Sequence, residues 1–70
     1  MCLGVPGEIV DLDDARPVAT VNVAGVERHV DTSLLPDLQC GDWVVVHVGF
    51  ALSKIDPDEA RAALRMLAIE

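Results

Sequence analysis

Residues 18–31 read Val18-Ala19-Thr20-Val21-Asn22-Val23-Ala24-Gly25-Val26-Glu27-Arg28-His29-Val30-Asp31. Two alternating runs rich in valine flank an Ala-Gly break. That is the pattern of a two-residue β-hairpin. With Val23 opposite Val26, Ala19, Val21, Val23, Val26 and Val30 share one face. Thr20, Asn22, Glu27, His29 and Asp31 share the other. One face is therefore buried and one is wet. Arg28 falls on the apolar side, which suits a barrel mouth where its head reaches water.

Working outward, Gly4-Val5-Pro6-Gly7 reads as a turn and Glu8 to Leu12 as a short strand, followed by a loop over residues 13–17. Thr32 to Asp42 is a connection with a short turn at Ser33-Leu34-Leu35. Gly41-Asp42 turns into Trp43-Val44-Val45-Val46-His47-Val48, the most pronounced strand in the chain. Its alternation sends Val44, Val46, Val48 and Phe50 inward and Trp43, Val45 and His47 outward. Phe50 to Ile55 continues that strand or forms a fifth. Asp56-Pro57-Asp58-Glu59 has the form of a helix start, with Asp56 as N-cap, Pro57 in the first helical position and Glu59 two residues on. The helix should run to about Ala68, with Ala60, Ala63, Leu64 and Leu67 as its apolar stripe and Asp58, Arg61 and Arg65 toward water. Four or five short strands and one helix cannot cover both faces of a flat sheet. The expected fold is mainly β: a small OB-like β-barrel with one C-terminal α-helix. A single domain spans 1–70, with the barrel over about 1–55 and the helix over about 57–68.

Composition narrows the function classes. The chain has 70 residues, 51% of them hydrophobic, with eleven valines but one Trp and one Phe. A formal charge of −7 argues against nucleic acid, whose affinity rests on Lys and Arg neutralising phosphate. It also disfavours an anionic membrane surface. No apolar run reaches bilayer length, and the start lacks the regions of a signal peptide, so the expected location is cytoplasmic. Two cysteines in a reducing compartment read as free thiols.

Cys2 and His47 are the residues that suggest chemistry. A small second residue allows removal of Met1, which leaves the Cys2 thiol beside a free α-amine. Together these can chelate a soft or borderline metal, and the thiol can act as a nucleophile. A cysteine that merely follows Met in a frayed terminus is the other reading. His47 lies beside Trp43 and Val45 on the outward side of its strand, which suits docking or ligation. Equally, the helix could cover that face and His47 could only hydrogen-bond there. Cys40 lacks the spacing of a zinc site and reads as a small buried thiol. His29 reads as solvated, and Asp11, Asp13 and Asp14 as a solvated loop without calcium-ligand spacing. No Ser-His-Asp set, phosphate loop or glycine fingerprint is present.

The start Met1-Cys2-Leu3-Gly4-Val5-Pro6-Gly7-Glu8-Ile9 and the later Gly41-Asp42-Trp43-Val44-Val45-Val46-His47-Val48-Gly49-Phe50-Ala51 together resemble the HypC/HupF family of [NiFe]-hydrogenase maturation chaperones. The hairpin and the helix start at Ile55-Asp56-Pro57 match the family's layout, so the resemblance covers the whole chain. It implies an OB-like barrel and a non-enzymatic role. It implies iron as a transient cargo, in the form Fe(CN)2CO, handled with a HypD-like maturation protein and delivered to the hydrogenase large-subunit precursor. The family's functional cysteine and histidine match Cys2 and His47, the implied metal and cofactor contacts. Partner contacts would fall on Cys2, Gly4, Pro6 and Gly7 at the start and on Trp43, Val45 and His47 of the strand. A metal-free adaptor that only recognises the precursor or assembly partner is the alternative. The connection from Thr32 to Gly41 is short beside longer members, and the chain ends directly after its helix where some members continue, so partner contacts of such an extension are expected to differ. Cys40 matches no functional position of the family.

Overall fold

In the computed structural model, which describes residues 4–68, five strands and one helix follow one another: β1 (Val5–Leu12), β2 (Val18–Val23), β3 (Val26–Asp31), β4 (Trp43–His47), β5 (Phe50–Ile55) and α1 (Pro57–Ala68). The strands close into a barrel in the order β1-β2-β3-β5-β4, with β4 returning to β1. The pairs are antiparallel except β3 with β5, which meet in parallel at Asp31 and Phe50.

The β2–β3 hairpin forms in the register its alternation predicts, from Val18 opposite Asp31 to Val23 opposite Val26. Ala24 and Gly25 make the turn with φ of 52° and 88°, the paired positive values of a type I′ turn. The Asn22 side-chain oxygen accepts the Gly25 N–H at 2.8 Å. Ile9, Ala19, Val21, Val30, Val44, Val46 and Ala51 form the core. Arg28, opposite Val21, is exposed on the otherwise apolar side.

Four expectations need correcting. The segment Gly4-Val5-Pro6-Gly7 is not a turn, because β1 already starts at Val5 and pairs Pro6 with Val45 and Gly7 with Val44. Pro6 is tolerated because β2 joins β1 only from Glu8 onward, so its missing N–H breaks no double ladder. Val48 is not inward but 79% exposed, and Phe50 is 40% exposed. The two-residue turn at Val48-Gly49 ends the alternation there, with His47 pairing Phe50 across it. Val26 is also exposed, beside the β2–β3 turn. Cys40 is exposed rather than buried. It sits at the tip of a reverse turn in which Asp42 N–H donates to the Gln39 carbonyl and the Asp42 carboxylate accepts the Gln39 N–H.

Two bulges break strand periodicity elsewhere. Val10 is the extra residue between the Ile9–Val21 and Asp11–Thr20 pairs, and Leu52 the extra one between Val46–Ala51 and Val45–Ser53. Both are exposed, each next to a core residue, Ile9 and Ala51, and so on the outer side of its strand.

The helix starts as its cap signal predicts. The Asp56 carboxylate accepts the Asp58 N–H at 2.7 Å and the Asp56 carbonyl accepts the Ala60 N–H at 2.9 Å. α1 packs on β1 with Ala60 fully buried and Ala63 and Leu64 half-buried. Asp58, Arg61 and Arg65 face water. The side chain of Leu67 lies outside the described residues.

Two predictions follow from this packing. In urea unfolding, Val44→Ala at a fully buried position should cost about 1–3 kcal/mol, and Asp56→Ala about 1 kcal/mol. The second concerns acid. The Gln39 N–H and, secondarily, Lys54 at 3.4 Å hold the Asp42 carboxyl below the ordinary aspartate value of 3.8. The unfolded chain then binds the proton first on acidification. The stabilisation is fully present well above 3.8 and is lost as pH falls through that value toward the folded one. Asp42→Asn should flatten this part of the pH–stability curve, and an unchanged slope would remove Asp42 from the account.

Candidate functional site

β4 carries the residues on which function was expected, and its two ends differ. Trp43 opens the strand, half-buried between Glu8 of β1 and Ile55 of β5. His47 closes it, exposed and paired with Phe50 across the turn. At about 3.4 Å per residue the two lie about 14 Å apart along the strand, so they do not form one cluster. Val45, outward between them, is half-buried. α1 does not bury His47.

The chain start runs beside the His47 end. Val5 is opposite Val46, so one further step of that register sets Gly4 level with His47. Gly4 approaches closely: a Cβ there would lie 2.6 Å from Val45 Cγ1 and 3.0 Å from the Val46 carbonyl oxygen. Any side chain at Gly4 would push the start away from β4. Gly7 is tight in the other direction, its would-be Cβ 3.0 Å from Val23 Cγ2 and 3.3 Å from Val21 Cβ. Gly7 thus faces the core and Pro6 the outer side, where α1 packs on β1. Both are buried, which gives them packing roles here. Cys2 lies outside the described residues.

Among the described residues no three His, Cys, Asp or Glu side chains converge as a metal site. A cleft of about 250 Å³ lies at the opposite end of β1 from Gly4, lined by Asp11, Asp13, Arg16, Thr20 and His29 among others. Sequence reading missed it, since it forms only when β1, β2 and β3 pair Asp11 with Thr20 and Thr20 with His29. Its loop is tied internally: Asp13 accepts the Ala15 and Arg16 N–H groups and meets the Arg16 guanidinium at 3.4 Å.

With the barrel, the exposed His47 and the adjoining chain start in place, the sequence comparisons are specific. The HupF/HypC family profile matches residues 1–67. The chain belongs to the HupF/HypC family. It is similar to the hydrogenase maturation factor HypC of Cupriavidus necator, 43% identical over 68 residues that span 97% of this chain and 74% of that protein. It is 46% identical to the hydrogenase maturation factor HybG of Escherichia coli over 72 aligned positions, covering 96% of this chain and 88% of that one. HypC of Rhizobium leguminosarum is 43% identical over 67 residues, with 96% and 88% covered. The family match takes in both the start from Met1 and the His47 strand. No helix among the described residues is long and apolar enough to cross a membrane.

An exposed side chain at a strand end contributes little to folding. His47→Ala should change stability by no more than about 0.5 kcal/mol. Val46→Ala, one residue earlier and 7% exposed, should cost about 1–3 kcal/mol. Thermal or denaturant unfolding checks both, and equal losses would mean that His47 is a packing residue.

Proposed function

We propose that this chain is a hydrogenase maturation chaperone. It carries the Fe(CN)2CO unit with a HypD-like protein and delivers it to the large-subunit precursor of a nickel–iron hydrogenase. It acts in the cytoplasm as a carrier and not as an enzyme. The observation that carries this reading is the exposed imidazole of His47, level with Gly4. Covalent geometry keeps the Cys2 Cα within about 7 Å of the Gly4 Cα. A cysteine two residues before Gly4 in sequence and an imidazole level with Gly4 are donor types that suit iron as cargo, the sulfur as a soft anchor and the nitrogen as a ligand or orienting donor. An open, solvent-facing strand end suits a cargo that must be handed on. The family membership and the relatives named as hydrogenase maturation factors support the same reading.

Within this reading Cys2 holds iron and also engages the partner, while His47 orients the cargo. Gly4 keeps the start against β4. Trp43 and Val45 belong to the strand that presents His47 and border the partner contact.

Co-purification from the native host tests it. The wild-type protein should carry infrared bands of metal-bound cyanide and carbon monoxide and co-elute with the HypD-like protein. Cys2→Ser should lose the bands and the transfer together, and His47→Ala should weaken iron loading while the fold persists. If Cys2→Ser keeps partner binding and the wild type carries no bands, the chain is a metal-free adaptor and the carrier reading fails.

A further inference from the structure

The β4–β5 turn carries a residue that its own backbone disfavours. Val48 has φ 52° and is 79% exposed. A β-branched side chain in the left-handed region is an outlier. The β2–β3 turn offers an internal comparison, because Ala24 also has φ 52° and is followed, like Val48, by a positive-φ glycine. There the first turn position carries only a methyl group. Turns of this type favour Asn, Asp or Gly at that position. Val48 therefore opposes both its local conformation and the water around it.

Strain of this kind persists only where the surroundings over-determine it, and here they do. The Asp31 N–H donates to the Gly49 carbonyl at 2.8 Å. Phe50 pairs with Asp31 on one side and His47 on the other. The turn is thus held from both flanks. Val48 and the 40% exposed Phe50 bracket Gly49, immediately after the exposed imidazole of His47.

We propose that Val48, with Phe50, is a preformed apolar knob that enters a pocket of the assembly-partner protein as His47 is engaged. This rests on the proposed function and adds to it the side chains that carry the docking contact. Charge selects the occupant. The chain has a formal charge of −7 and no Lys or Arg between His29 and Ser53, and Asp31 flanks Phe50. A second copy would bring like charge against like charge. A protein whose apolar pocket is rimmed by Lys and Arg is complementary.

The test compares Val48→Asn with Ala24→Asn, the matching change in the other hairpin. The probe is the purified HypD-like protein of the same host, titrated calorimetrically. Val48→Asn relieves the turn, so its Tm should rise by about 4–8 °C while partner binding weakens at least about tenfold. Ala24→Asn should leave binding unchanged. Raising the salt concentration should weaken the wild-type complex. Wild-type binding with equal affinity for Val48→Asn overturns the knob and leaves the chaperone reading standing. No binding by the wild type overturns that reading and this inference together. A wild-type dimer that Val48→Asn dissolves makes a second copy the occupant and also overturns the proposal.

Discussion

The barrel depends on one parallel contact. β1 to β4 is a chain of antiparallel neighbours apart from the seam where β3 meets β5, and that seam consists of the Asp31–Phe50 pair and the Asp31 N–H donated to the Gly49 carbonyl at 2.8 Å. Without it, β3 and β5 would present open edges, the usual route to wrong pairing. The contact also fixes the β4–β5 turn, so closing the barrel and shaping its exposed tip are one event. Thr32, next in the chain, extends the β2–β3 ladder instead: it is buried, and its N–H donates to the Pro17 carbonyl at 2.7 Å.

A barrel closed with so few residues leaves little interior. Ile9, Val21 and Val44 are the largest fully buried side chains, and Ala19, Val30, Val46 and Ala51 complete the core. Gly7 makes room for Val21 and Val23, and a Cβ there would need the valines to shift. The same economy governs the outer surface. α1 packs on β1, and His47, Val48 and Phe50 stay exposed. α1 thus leaves the open end of β4 uncovered.

The acidic balance acts on a different level from packing. Most of the described ion pairs are local or exposed, such as Arg61 with Asp58 at 3.0 Å, and pairs of this kind contribute little to stability. The excess of acidic over basic residues, a formal charge of −7, gives a net negative charge of the kind that steers association. The same charge disfavours nucleic acid and anionic membranes.

Much of this was legible in the chain itself. Alternation around Ala24-Gly25 determines the first hairpin and its register, because a one-residue slip would turn every valine to water. Asp56-Pro57 determines where the helix starts, because capping is local chemistry. His47 is legible as outward from the parity of its strand, and the paired motifs from Met1 and around His47 identify the family. Tertiary structure alone decided the rest. Pro6 and Gly7 look like a turn until β4 supplies a ladder for them and Val21 and Val23 supply a wall. Val48 looks inward by alternation until a two-residue turn ends its strand. Those outcomes depend on which strand lies alongside and in what register, a constraint carried by residues far away in sequence. Local propensity cannot encode it, and only closure of the barrel imposes it.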